Sequence, residues 1–468
     1  MTSKIKVDNI NKVSDDSNII KKCGTTTTIG SGASNPIVVD GSAVTIGRCG
    51  GTVALASGAS QSGFGRTGTV DWQTGSIKTG DFTAANGEGY FVDTTSGTIT
   101  VTLPSSPSAG NIVAVADYAG TAATNQITIN RNSSPFEGGT ENGVIITNRQ
   151  TATFVYVDGT QGWVVVNSND ASFVAPSFVA ATGGNTVATV GNFKVHTFTG
   201  PGTFCVSNAG NAIGANTVDY LVVAGGAGGG RGCSHGGGGG AGGYRESSGA
   251  ASGCYSISPL GAGVSALPVT ATGYPITVGG GGAGASPSSS PNKIGSSGSN
   301  SVFAGSSTIT STGGGGGAGW NNTGGAPGGS GGGAACSPSP TNVGAGNTPP
   351  VSPPQGSNGG ASQPNRMGGG GGALEAGNTD GQGYGGDGAA STINNTPTTR
   401  AGGGSGGGSS CSSSNIPGGD GGGGQGSGSG NGGAATANTG GGGGGSYNPG
   451  DTGGAGGSGI VIIRYKFQ

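Results

Sequence analysis

Charge is scarce in this chain. Only 8% of its 468 residues are Asp, Glu, Lys or Arg, and the formal net charge is −2. The basic footprint of a nucleic-acid binder is absent, and so is the charge excess that keeps a chain unfolded by self-repulsion. Aromatic residues make up 5%, hydrophobic residues 31%, and histidine occurs twice. One large conventional core is therefore excluded. No apolar run is long enough for a membrane helix, and the first two dozen residues set single aliphatics among charges where a signal peptide would have an apolar centre. These absences predict assembly in a cytoplasm, no membrane insertion and no nucleic-acid partner.

Paired cysteines are missing too. The seven cysteines, Cys23, Cys49, Cys205, Cys233, Cys254, Cys336 and Cys411, are scattered, odd in number and without C-x-x-C spacing, which argues against zinc. They are expected to be mostly small buried thiols, with a late disulfide open among Cys233, Cys254, Cys336 and Cys411. No cofactor and no metal are expected. Nor is there a catalytic pattern. Asp71, Asp81, Glu88, Asp93, Glu137 and Glu141 lie in or beside one group of strands without the arrangement of an acid/base pair. G-x-S-x-G arises in GQGSGSG without the strand-to-helix setting that gives it meaning. His196 has no acidic or cysteine neighbour and is expected to face solvent or a sheet edge. The chain does not read as an enzyme.

What is present is β-pattern and glycine. Residues 1–22 carry Ile5, Val7, Ile10, Val13, Ile19 and Ile20 between polar residues. That spacing suits neither a long helix nor one long strand, and it predicts a segment that orders by docking on a larger partner. Residues 23–69 repeat very short β-prone runs between turns, a pattern that gains stability by stacking or by wrapping around identical chains. It predicts a thin shaft, expected as a homotrimer. Residues 70–170 hold longer alternating strands at 89–93, 98–103, 112–117, 126–130, 144–146, 151–157 and 163–167. With turns such as DTTSG and VDGTQG, they predict a small antiparallel β-sandwich with Tyr90, Phe91, Phe154, Tyr156 and Trp163 in its core. A polar stretch, 171–191, reads as a linker.

The composition then changes sharply. Of 114 glycines, 84 follow residue 219. Glycine loses more backbone freedom on ordering than any other residue, and these runs have few side chains to bury in compensation. An ordered state requires the backbone groups to satisfy one another. Polyproline II strands point their N–H and C=O groups outward, and without Cβ atoms such strands can pack and hydrogen-bond on every side. The strict Gly-X-Y period of collagen is not there. The fold class expected is thus all-β with no significant helix, ending in a polyglycine II bundle (192–468) on a small β base. VDYLVVA and IVIIRYKF are expected as neighbours in that base, so that each glycine excursion leaves and returns. Turning points then fall at the far end: 230–235, 286–293, 320–323, 336–366 and 392–400, joined by 409–417 and 446–451. Loops on a rigid scaffold commonly carry recognition, and Trp, Tyr and Arg are frequent anchors. The receptor-contact candidates are Arg231, His235, Trp320, Asn321, Asn322, Arg366, Tyr447 and Asn448.

The ordered succession VDYLVVAGG, GYRES, YPITVGGGGAG, SVFAGSSTIT and GGSGIVIIRYKF resembles the glycine-rich domain of phage tail-fibre proteins over 218–468. SKIKVDNI, SNIIKKCG, GSAVTIG and GTVALASGASQSGFGR resemble the N-terminal region of fibres from marine, cyanobacteria-infecting phages. The resemblance implies a virion location, attachment of Ile5, Val7, Ile10, Val13, Ile19 and Ile20 to a tail or baseplate protein, and recognition of a host polysaccharide or outer-membrane protein. The alternation of glycine runs and loops is similar in architecture to the distal adhesins of T-even-like phages.

Overall fold

The computed structural model describes residues 9–11, 18–23, 26–29, 70–169, 176–212, 214–232, 236–253, 255–287, 293–320, 324–335, 342–363, 366–408 and 415–468. Two compact units divide at residue 69. In the first, strands Asn9–Asn11, Asn18–Cys23 and Thr26–Ile29 form an antiparallel sheet whose backbone register pairs Ile10 with Ile20 and Ile20 with Ile29. This sheet crosses the boundary expected at residue 22. Ile5, Val7, Val13 and the rest of the expected shaft, 30–69, lie outside the described residues.

Between 70 and 169, each expected strand is present with its ends within one residue, and two short ones, Asp71–Trp72 and Phe82–Thr83, precede them. Two sheets face each other. One runs Gly143–Ile145, Ile127–Asn130, Ile99–Thr102, Phe82–Thr83; the other runs Trp163–Ser168, Thr151–Tyr156, Ile112–Asp117, Glu88–Val92, Asp71–Trp72. The expected antiparallel order needs correction here. From Asp71 to Asn130 the chain alternates between sheets, so each strand lies parallel to the one two before it. DTTSG is a crossover, whereas VDGTQG closes a true hairpin. Alternating burial looks the same in either orientation.

Tyr90, Phe154 and Trp163 fill the core with Val101, Leu103, Ile127 and Ile129, and Tyr156 packs at its margin. Phe91 does not join them. Neighbouring residues on a strand point to opposite faces, and Phe91 lies on the outer face with Trp72 (centroids 4.9 Å apart) and Tyr118 (6.5 Å).

The base of the glycine-rich domain is a second two-sheet sandwich. Its five-stranded sheet runs Val179–Thr182, Gly202–Ala209, Gly273–Thr277, Ser301–Ala304, Thr308–Ser311. The larger sheet runs Thr186–Val190, Phe193–Phe198, Ile460–Lys466, Thr217–Val223, Tyr244–Glu246, with Leu267–Pro268 also on Thr217–Val223. The stretch expected as a linker therefore supplies a strand to each sheet. Its TVATV run is an edge strand with an exposed surface, which is why it looked polar.

VDYLVVA and IVIIRYKF pair as expected, antiparallel, with Tyr220 opposite Ile463 and Val222 opposite Val461. Both strands are buried on both faces. Val218, Tyr220, Val222, Val461, Ile463 and Tyr465 meet Phe204, Tyr274 and Phe303 from the smaller sheet. Leu221, Val223, Ile460 and Ile462 turn the other way, toward Tyr244, Ala373, Ala389, Ile393 and Ala401. Each such buried aliphatic or aromatic side chain contributes roughly 1.5–3 kcal/mol. Among the described residues the helical content is one 3-10 turn, Pro259–Gly261.

His196 belongs to this core and not to an edge. It is fully buried, stacked on Tyr465 and edge-on to Phe204. Nδ1 lies 2.7 Å from the Gly183 carbonyl and Nε2 lies 3.0 Å from the Tyr465 hydroxyl. The carbonyl can only accept, so Nδ1 carries the proton and Nε2 accepts from Tyr465. Cys205 is exposed, against the expectation for a small thiol, because its strand turns Phe204 and Val206 to the core. Cys49, Cys233, Cys254, Cys336 and Cys411 lie outside the described residues.

Candidate functional site

Above the base stands the glycine lattice, and the segment 236–243 shows its rule. Its N–H groups rotate among three neighbours with a period of three. Gly237, Gly240 and Gly243 donate to Ala318, Gly315 and Thr312; Gly238 and Ala241 to Gly368 and Gly371; Gly239 and Gly242 to Gly443 and Gly440, all at 2.7–3.0 Å. Its carbonyls accept from three others: Gly237 and Gly240 from Gly230 and Ala227, Gly238 and Ala241 from Gly333 and Ser330, Gly236 and Gly239 from Gly407 and Gly404. Six extended segments thus surround one, in a threefold rotation that matches polyproline II geometry. Buried backbone groups need partners, and here the lattice supplies them without side chains. A Cβ on Gly238 would lie 2.0 Å from the Gly404 carbonyl oxygen, and one on Gly442 would lie 1.9 Å from that of Gly239.

Because each segment runs out from the base and back, the connections gather at the far end. Arg231 ties several of them. Its N–H donates to Lys293 O (3.1 Å), its carbonyl accepts from Trp320 N (3.2 Å), and Nη2 donates to Pro287 O (3.2 Å). Nη1 donates to Pro449 O. At 4% exposure Arg231 is a buried strut, which corrects its reading as an exposed anchor. The burial comes from three connections distant in sequence closing over its stem. Nε has no partner among the described residues.

The other candidates divide. Trp320 is half-buried beside Arg231. Tyr447 and Asn448 are half-buried, and Asn448 Nδ2 donates to Asp451 Oδ2 at 3.0 Å within its own turn. Arg366 is exposed, on a different connection, and donates weakly to Gln382 O at 3.4 Å. His235, Asn321 and Asn322 lie outside the described residues. Arg231, Trp320, Tyr447 and Asn448 share one cluster, and Arg366 is not tied to it.

Two expected turning points are misplaced. Residues 392–400 are at the base: Ile393 packs beneath the larger sheet, Thr392 N donates to Ser256 O, and Ser391 Oγ donates to Glu246 Oε1 at 2.5 Å. The span 336–366 is not one loop. It contains lattice segments near 344 and 357–360, and its middle returns to the base, where Gln355 Nε2 donates to Thr312 Oγ1. Glycine runs also hide reversals. The chain turns back at 420–422, where Gly421 and Gly422 take φ of 102° and 96°, conformations open chiefly to glycine.

Buried polar side chains elsewhere serve the fold. Asp219 accepts from Ser247 Oγ (2.7 Å), Gly249 N (3.1 Å), and the N (2.7 Å) and Oγ (2.5 Å) of Ser252. Glu246 accepts from Tyr244 OH and Ser258 N, and burial holds its carboxyl above the usual range against those hydrogen bonds. Glu375, Asp380 and Asp387 gather oxygens within 4.8 Å of one another, but Glu375 accepts from Asp387 N and Asp387 from Asp420 N, so two of the three are engaged by the backbone.

A search among curated proteins returned no match. A family model described as a glycine-rich domain matches residues 199–466, from the larger base sheet to the end of the strand Ile460–Lys466. With that span covering more than half of the sequence, this chain belongs to the glycine-rich domain family.

Proposed function

We propose that this chain is a virion tail-fibre protein, held to a phage tail or baseplate protein by its N-terminal segment. Its glycine-rich domain recognises the host surface through the connections at the far end of the lattice. Its working form is a homotrimer, and it performs no chemical step. The observation that carries this reading is the Arg231 strut. Its guanidinium bridges two otherwise separate connections, at Pro287 and Pro449, while its main chain holds Lys293 and Trp320, and binding sites gain affinity when their parts are held in place beforehand. The resemblance of the N-terminal motifs to marine phage fibres supplies the host class.

Labelled full-length protein incubated with intact marine cyanobacteria should sediment with cells of susceptible strains. Replacing 446–451 by a short glycine linker should abolish this while leaving amide protection of the lattice unchanged. If no strain is bound, and phage lacking 176–468 adsorb normally, only a structural fibre role is left.

A further inference from the structure

One flank of the lattice is incomplete, and the gap has the chemistry of a binding groove. In segment 357–360 the neighbours follow the lattice rotation on one side. Ser357 and Gly360 donate to Gly372 and Gly369, their carbonyls accept from Gly331 and Ala334, and Gly359 donates to Gly344. Asn358 O accepts from Gly377 N. The rotation then stops. The N–H groups of Asn358 and Ala361 and the carbonyl of Gly359 have no partner among the described residues, and they belong to adjacent directions of the sixfold arrangement. At this place lies a groove of about 610 Å³, whose walls come from Val343, from 358–363, and from 376–378 with Gln382.

Ser362 supplies a second, independent sign of a ligand. It lines the groove at 4% exposure, yet its hydroxyl makes no hydrogen bond with any described residue. Its Oγ is open to the groove rather than sealed within the protein, so it offers one donor and two acceptor sites to whatever enters. The side-chain amide of Gln363 and Nδ2 of Asn358 are likewise uncommitted, for Asn358 uses only Oδ1, accepting from Gly346 N at 2.8 Å.

The floor is rigid. Asn378 Oδ1 accepts from Gly369 N (2.9 Å) and Gly383 N (3.0 Å), its Nδ2 donates to Ala361 O (2.6 Å), and Gln382 Nε2 donates to Ala361 O (2.9 Å) and Arg366 O (3.1 Å).

We infer that this groove binds a neutral, hydroxyl-rich saccharide segment. The lining offers donors and acceptors in mixture, and none of its residues is charged or aromatic. The lining itself offers an anionic ligand no cation, the neighbouring Arg366 guanidinium being directed to the Gln382 carbonyl, and a lipid or apolar peptide finds no apolar bed. The inference rests on the host-surface reading and moves part of the contact from the far end to the flank.

The test uses the full-length chain with dextran, yeast mannan and arabinogalactan as neutral probes, and heparin and hyaluronate as acidic ones, followed by calorimetry or ligand-observed NMR. At least one neutral polymer should bind and both acidic ones should fail. Ser362→Ala should weaken that binding roughly three- to tenfold, the scale of one hydrogen bond. Gln363→Ala should act in the same direction, and lattice amide protection should stay unchanged in both variants. Absence of binding to every neutral polymer, or binding indifferent to both substitutions, overturns the groove. Cell sedimentation run in parallel separates the two readings. Cells held equally well by wild type and Ser362→Ala, with polymer binding also unchanged, would sink the groove and leave far-end recognition standing, whereas polymer binding weakened in Ser362→Ala supports the groove whether or not cells are bound.

Discussion

Asp219 and Arg464 sit directly opposite each other on the two strands that open and close the glycine-rich domain, and both are buried. Arg464 lies over the rings of Phe193 (4.8 Å) and Tyr255 (5.2 Å) and donates to Ile393 O at 3.2 Å. Burial pulls its guanidinium pKa downward, with Tyr255 and Asp219 opposing. Leaving a buried donor without its acceptor costs about 1–3 kcal/mol. Asp219→Ala should lower stability by at least that much in denaturant unfolding, because it strips Ser247, Gly249 and Ser252 of their acceptor. A loss below about 1 kcal/mol would show that water takes the place of the carboxylate.

Two glycines give opposite outcomes for the same change. At Gly442 an added methyl would meet the Gly239 carbonyl oxygen at 1.9 Å, whereas at Gly280 it meets nothing within 4 Å. Gly442→Ala should abolish the cooperative thermal transition of this domain or lower it by well over 10 °C. Gly280→Ala should leave it unchanged or raise stability by about 0.4–1 kcal/mol, through the smaller entropy of the unfolded chain.

His196 should make the base acid-sensitive. Burial depresses its pKa below the ordinary 6.5, with the Gly183 carbonyl opposing and Lys194 adding to the depression. Between the folded and unfolded values the unfolded chain binds more protons, so stability rises with pH there. The contribution is fully present above about pH 6.5 and is lost as pH falls through the folded value. The slope is at most about 1.4 kcal/mol per pH unit. Chemical denaturation at a series of pH values should show this slope in wild type and lose it in His196→Gln.

Trp72 lies across Gly89 on the outer face of the β-domain. A Cβ on Gly89 would come within 2.6 Å of Val70 Cγ2 and 2.8 Å of the indole. Gly89→Ala should displace Trp72 and cost roughly 1–3 kcal/mol, with a red shift in tryptophan emission. Unchanged emission would mean that the indole accommodates the methyl without moving.

Local pattern revealed what depends on local pattern. The strands from Glu88 to Ser168, the pairing of VDYLVVA with IVIIRYKF and the lattice all follow from alternation or from the absence of Cβ atoms. Whatever depends on long-range placement was hidden. A reversal inside a glycine run changes no residue type, so 336–366 read as one loop. Arg231 looks like a surface arginine until three distant connections close over it. The groove residues Asn358 and Ser362 stood inside that same misread span, and their one signal is uncharged polar residues interrupting a glycine run. The run of parallel pairs from Asp71 to Asn130 left no trace, since strand direction is not encoded in alternation.

The central place of Ile460–Lys466, between Phe193–Phe198 and Thr217–Val223, bears on biogenesis. Neither flanking strand reaches the other without it, and the lattice segments that begin at 225 take partners as late as Gly457. While a ribosome is still translating the domain, Thr217–Val223 can pair along one edge with Tyr244–Glu246 and Leu267–Pro268, and its other edge has no mate. The larger sheet is therefore closed only once Lys466 has left the exit tunnel, and a nonsense codon upstream of it would leave that sheet without its central strand.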